Sequence, residues 1–247
     1  MYWFGLYHWR RRFRALGGGI AVALGGAVLW RRRSDRPGRA LAGVAVALGT
    51  GRVLHALSTL ASPPPWRLER YKYDALAREL PLDGARRVLD VGCGTGRSLV
   101  GLAPWLPRSA TLVGVDVFDD RVILGNGPRL ARRNARLAGI AAEPVRGDAG
   151  ALPFASGSFD VVTACRVLHD LPAERHDVAL AELRRICGED GTLGLLELPI
   201  APDAVDVSPE RYWQTRVTDA GLAIRTIERV PRRGGGEPYV VLVATPA

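Results

Sequence analysis

Val88-Leu89-Asp90-Val91-Gly92-Cys93-Gly94-Thr95-Gly96 is a run of β-favouring residues that breaks into three glycines at alternate positions, with a helical pattern from Arg97 onward. The string predicts a strand that turns sharply at its carboxyl end, because residues without a Cβ bend there and let a ligand approach the main chain. Amides left over in such a turn are available to a bound ligand. Asp90 stands two residues before the first glycine. A carboxylate there can orient the turn or accept a hydrogen bond from a cation, which suits a ligand carrying an ammonium group. The glycines are spaced G-x-G-x-G, whereas a dinucleotide fingerprint reads G-x-G-x-x-G and needs its third glycine for helix packing.

Outward from this turn, strands and helices alternate. Leu68, Tyr71, Leu76 and Leu80 recur at near-helical spacing ahead of it, and residues 97–106 read as a helix after it. Residues 111–115 form a second strand closed by Asp116, whose two oxygens match a pair of ribose hydroxyls in a doubly wound sheet. Gly125-Asn126-Gly127-Pro128 turns into a helix over 128–138. A short strand over 143–146 precedes Asp148, and a fourth strand begins at Phe159. Residues 172–187 form a helix, 187–191 a turn, and 192–198 a strand ending near Glu197, which reads as structural or as facing substrate. A helix over 208–220 with Ser208 as its cap, then strands over 222–230 and 238–244, complete the pattern. The expected fold is α/β, a doubly wound, seven-stranded, mostly parallel sheet.

The string VLDVGCGTG resembles motif I of the class I S-adenosylmethionine-dependent methyltransferases. Leu152-Pro153-Phe154, Ser158-Phe159-Asp160-Val161-Val162 and the segment leading to Glu197 resemble later segments of the same family, in the same order. Agreement at several ordered sites is hard to reach by accident. The resemblance implies that S-adenosylmethionine is held by Asp90, Gly92, Cys93, Gly94 and Gly96, by Asp116 with Val117, and by Asp148 with Ala149. In such enzymes the carboxylate at the position of Asp148 accepts from the adenine amine, and Arg166 is expected at the methionine end. No metal is implied. His169, at the carboxyl edge of the sheet, is a candidate general base for a hydroxyl acceptor or a residue that shapes the pocket. The resemblance covers about residues 70–245.

The remainder is N-terminal. Of a formal charge of +9, nine arginines against Asp35 place +8 in the first 39 residues. The body is near neutral, so no nucleic-acid partner is expected. Cys93, Cys165 and Cys187 have no metal spacing and form no disulfide framework. Residues 15–30 and 40–61 are apolar runs, the second interrupted by Arg52 and His55, and separated by a basic turn. They predict a membrane-associated helical hairpin over 1–62, joined at Ser62-Pro63-Pro64-Pro65 to a methyltransferase domain over 63–247. Two spans, a shallow hairpin in one leaflet, and soluble packing helices each fit the runs. Two spans put the arginine-rich turn outside, against the positive-inside tendency, if the cofactor-dependent domain is cytoplasmic. A second apolar run argues against a cleaved signal peptide. The implied activity is methyl transfer to a small, lipophilic acceptor at the membrane surface. A tethered cofactor-binding module without turnover, or a nucleic-acid or protein methyltransferase, are the alternatives.

Overall fold

The computed structural model describes residues 1–247 apart from 61, 63, 203 and 204. The end of the second apolar run and Pro63 of the expected boundary therefore lie outside the described residues. The chain forms two compact units, one of residues 2–67 with 119–126 and one of residues 68–118 with 127–247.

The smaller unit is built on α1 (Trp9–Arg32) and α2 (Arg36–Leu60), both long and apolar enough to cross a membrane. The helix α1 starts six residues before the apolar run, so Arg10, Arg11, Arg12 and Arg14 ride on its first turns. The residues buried in the hairpin are small. They are Gly19 and Gly26 on α1 and Ala42, Gly49 and Ala56 on α2, each series spaced by seven. A Cβ on Gly49 would lie 2.4 Å from the Ala23 amide nitrogen, and one on Gly26 would lie 2.8 Å from that of Val46. Gly17, Gly18, Gly25 and Gly51 face open space, so only some of the hairpin's glycines bring the two helices together. Large apolar side chains, Ile20, Leu24, Val28, Leu41, Val44, Leu48, Leu54 and Leu57 among them, point outward. Asp35 closes the turn by accepting from the Gly38 amide at 2.8 Å. At the other end Leu6–Tyr7 pairs antiparallel with Ile123–Leu124, and the Trp9 indole donates to the Asp120 carbonyl at 2.8 Å.

The larger unit opens with α3 (Tyr71–Arg78). It then alternates β1 (Arg87–Val91), α4 (Arg97–Leu102), β2 (Thr111–Asp116), α5 (Pro128–Leu137), β3 (Ala142–Arg146), β4 (Phe159–Cys165), α6 (His176–Ile186), β5 (Cys187–Glu197), α7 (Pro209–Asp219), β6 (Leu222–Val230) and β7 (Tyr239–Pro246). The sheet order is β3-β2-β1-β4-β5-β7-β6. The first five strands are parallel, while β7 runs antiparallel to both β5 and β6. This is the expected seven-stranded, doubly wound sheet.

Period-two alternation builds a core on each face. Val88, Leu112, Val161 and Val243 pack with Leu76, Leu99, Leu102 and Ala131 on one side. Leu89, Val162, Leu193 and Leu242 pack with Leu180, Leu183, Ile186 and Trp213 on the other. Burial on both faces is what parallel strands require. The expected turn at 187–191 is instead a bulge inside β5. Phe159 pairs with Cys187 and Val161 already with Thr192, so six residues of β5 span three of β4. A Cβ on Gly191 would lie 2.9 Å from the Gly188 nitrogen, which shows how tightly the chain doubles back.

Candidate active site

Strand order reverses between β1 and β4, and open α/β sheets bind ligands at the carboxyl ends of strands beside such a switch. All three glycines of the turn after β1 have left-handed backbone, with φ of 73°, 49° and 85° at Gly92, Gly94 and Gly96. Gly92 is also pinned by space, since a Cβ there would lie 2.3 Å from a Val167 methyl on the segment after β4. The Gly92 amide donates to the Val115 carbonyl at 2.7 Å, and the Asn134 amide donates to the Thr95 carbonyl at 2.9 Å. The turn is therefore held from β2, from α5 and from the end of β4 together.

Asp90 sits beneath this turn, fully buried. One carboxylate oxygen accepts from the Ser98 hydroxyl at the start of α4 and the other from the Thr163 hydroxyl at 2.9 Å. The register of β1 with β4 places Asp90 directly beside Thr163. Burial, reinforced by the charge of Asp116, pushes the Asp90 carboxyl up to about 7 despite the two hydroxyl donors. Asp90 thus orients the turn from inside, and its oxygens meet side chains of the protein. Cys93 turns its thiol inward against Gly114, leaving its main chain as the part a ligand can reach. Burial pushes that thiol well above its ordinary value.

Asp116 ends β2 and bridges two turns, accepting from the Gly94 amide at 3.0 Å and the Phe118 amide at 2.6 Å. The exposed Val117 follows it, and its carbonyl accepts from the Arg146 guanidinium. Asp148 follows β3 and accepts from Arg175 at 2.7 Å and from the Gly150 amide at 2.8 Å. The Arg175 guanidinium holds its carboxyl below the usual range. Ala149 beside it is buried among the β1 and β2 side chains. Arg166 leaves β4 with φ of 60°, an uncommon conformation for a residue with a Cβ and one that re-aims the chain at a functional edge.

His169 lies one turn beyond β4, and its Nδ1 is 2.5 Å from Oε2 of Glu197, the last residue of β5. The other oxygen of Glu197 accepts from the Leu168 amide at 3.0 Å and the Val167 amide at 3.3 Å. Burial opposes the charged imidazole, but the hydrogen bond and charge of Glu197, with Asp170, outweigh it and raise the His169 pKa. Nε2 is left facing Asp170 at 3.6 Å. A carboxylate that fixes one ring nitrogen sets the tautomer and leaves the other to exchange a proton.

Sequence reasoning assigned neither Ser98, Thr163 and Arg175 to the site nor Glu197 to His169. The signal for the last lay in the sheet, where Cys165 pairs with Leu196, so the segment after β4 meets the last residue of β5. His176 is structural, held between the Tyr212 hydroxyl at 2.7 Å and the Leu171 carbonyl at 3.1 Å. Among the described residues no cluster of metal-ligating side chains occurs.

Residues 88–191 match the family described as methyltransferase domain. A demethylmenaquinone methyltransferase from Roseiflexus castenholzii is 38% identical over 114 residues, covering 45% of this chain and 42% of its own. A nocamycin O-methyltransferase from Saccharothrix syringae is 35% identical over 144 residues, covering 57% and 45%. Among solved structures, the [4+2]-cyclase SpnF superposes with a TM-score of 0.58 at 21% identity, covering 72% of this chain and 82% of its own. An S-adenosylmethionine-dependent methyltransferase from Aquifex aeolicus gives a TM-score of 0.53 at 18% identity, covering 70% and 88%. The chain spans between 42% and 61% of the length of the first curated relatives it matches. A sheet of this order, the glycine turn fixed from three sides, and acidic residues after β2 and β3 have one common reading. Over residues 88–191 the chain is similar to a methyltransferase domain, and the sheet around that segment has the fold of the S-adenosylmethionine-dependent methyltransferases.

Proposed function

We propose that the protein transfers the methyl group of S-adenosylmethionine to a lipophilic hydroxyaromatic acceptor of the quinol class, taken from the surface of a membrane. The observation that carries the reading is the inverted hairpin. Its small residues meet inside and its large apolar residues point out, the arrangement that lipid favours and water does not. A relative named for a quinone precursor supports the same acceptor class. In this reading α1 and α2 span the bilayer, with the methyltransferase domain on the cytoplasmic side, where the cofactor is made.

The cofactor, when bound, supplies an electrophilic methyl group. Asp116 and Asp148 present acceptors for ribose hydroxyls and an adenine amine, and Asp90 sets a negative potential beneath the turn. His169 takes the hydroxyl proton of the acceptor at Nε2, with Glu197 stabilising the imidazolium. Removal of that proton makes the oxygen, and the ring carbon beside it, nucleophilic. Transfer to carbon forms a C–CH3 bond as the S–CH3 bond breaks, and loss of the ring proton restores aromaticity. The same base serves transfer to oxygen, a second reading favoured by the nocamycin relative.

The test uses the full chain in vesicles with isotopically labelled S-adenosylmethionine. Label in the ring methyl of a reduced prenylated demethylquinone, at a rate above that on a water-soluble phenol, is the expected result. Equal or faster turnover of the soluble phenol would overturn the lipophilic assignment.

A further inference from the structure

The hairpin contains a cavity of about 680 Å³ on one flank, lined by Arg14, Gly18, Gly19, Gly51, Arg52 and His55, with Ala47 and Leu48 at its side. Its floor exists because Gly18 and Gly51 carry no side chain, and a Cβ at either would project into open space. Its polar groups are all basic. Residues 1–62 contain one acidic residue, Asp35, and that lies in the turn at the opposite end. Arg14 is five residues into α1, and His55 and Arg52 are five and eight residues before the end of α2. At 1.5 Å per residue the three sit at a common depth, roughly 7–12 Å inside the ends of the helices. For helices of about 36 Å across a 30 Å core this is a few Å below the headgroup boundary, a depth from which a long arginine side chain reaches up to the headgroups. An arginine within the apolar run at Arg52 is costly in lipid unless an anion meets it.

We propose that this cavity binds the phosphate headgroup of an anionic phospholipid of the cytoplasmic leaflet. Arg14 and Arg52 flank the phosphate, His55 donates to it, and the glycine floor lets the headgroup approach the helices. An acyl chain then runs along outward-facing apolar residues such as Leu48 and Ile20. Basic pockets between membrane helices bind acidic headgroups for the same electrostatic reason. The proposal rests on the reading that the hairpin lies in the bilayer, and the experiment separates the two.

Full-length protein in a neutral detergent is incubated with equal amounts of phosphatidylglycerol and phosphatidylcholine, and retained lipid is read by native mass spectrometry. Preferential retention of one phosphatidylglycerol, roughly tenfold or more, is expected. Arg14→Gln with Arg52→Gln is expected to abolish the preference, and Arg14→Lys with Arg52→Lys to keep most of it. Gly51→Leu, which fills the cavity without changing charge, is expected to abolish retention. Flotation of the same proteins on pure phosphatidylcholine vesicles reports bilayer association independently. Wild-type protein that floats but shows no preference overturns the lipid site alone, and protein that does not float overturns both readings. Release of the lipid by millimolar inorganic phosphate would assign the cavity to free phosphate and overturn the proposal.

Discussion

At the scale of single residues the candidate site sets its carboxylates in unlike surroundings. Asp90 is held up at about 7 by burial, while its unfolded value lies near 3.8. A group with a raised folded pKa favours folding when protonated, so its contribution is full below about pH 4 and is lost as pH rises through 7. At 1.36 kcal/mol per unit the loss is roughly 4 kcal/mol at its upper limit. Asp90→Asn cannot titrate, yet it can still accept from Thr163 and donate to Ser98. It should therefore be more stable than wild type at pH 8 and lose that advantage towards pH 4, as urea unfolding of cofactor-free protein at both pH values will show. The same substitution removes the negative potential that favours a sulfonium, so calorimetry should find S-adenosylmethionine bound about tenfold or more weakly. His169 is the converse case. Its pKa is raised by Glu197, so the stability it contributes is present below about 6.5 and fades as pH climbs through its folded value. As the proposed base it would work only when neutral, and turnover should rise with pH through that same value. Glu197→Gln is expected to move this acid limb to lower pH. His169→Ala should lower kcat by roughly 10²-fold or more while cofactor affinity measured by calorimetry holds. An unmoved limb in Glu197→Gln would remove His169 from the chemistry.

At the scale of elements, the parts that local sequence dictates are those whose cause is local. The glycine turn, the alternation of the buried strands and the Ser208 cap, which accepts from the Arg211 amide at 3.2 Å, each depend on neighbours a few residues away. The bulge in β5 and the meeting of His169 with Glu197 depend on the register between β4 and β5, which no stretch of either strand contains. Glycines show the same division. Eight of them in the two apolar runs look alike as sequence, but only Gly19, Gly26 and Gly49 are pressed against main chain or Cβ atoms of the other helix. Gly49→Ala should therefore force α1 and α2 apart, because the added carbon meets main chain that cannot move aside. Its cost is expected in the 1–3 kcal/mol range of overpacked sites. Gly51→Ala, two residues on, faces open space and should gain a few tenths of a kcal/mol to about 1 kcal/mol from lower backbone entropy. Unfolding of the full chain in mixed micelles, followed by circular dichroism, compares the pair, and equal effects would mean that the helices do not pack through this seam.

At the scale of the whole molecule, the proposed membrane anchor turns on whether the hairpin can span a bilayer. Helices of 24 and 25 residues are about 36 and 37 Å long, enough for a 30 Å hydrocarbon core. Apolar residues surround α2 instead of forming one stripe, which suits a span better than a helix lying in the interface. The positive-inside tendency is weaker as an objection once both flanks are counted. Arg10, Arg11, Arg12 and Arg14 precede the first run, and Arg67, Arg70, Lys72 and Arg78 follow the second, against Arg31, Arg32, Arg33, Arg36 and Arg39 in the turn. The excess lies on the side of the methyltransferase domain. All three native cysteines are buried, so a cysteine placed in the turn by Ser34→Cys would be the one exposed thiol. Two spans require that thiol to react with a membrane-impermeant maleimide added outside intact cells. A hairpin confined to the inner leaflet would leave it unlabelled until the membrane is opened, and that result would also remove the argument for a through-bilayer anchor while leaving the methyltransferase site untouched.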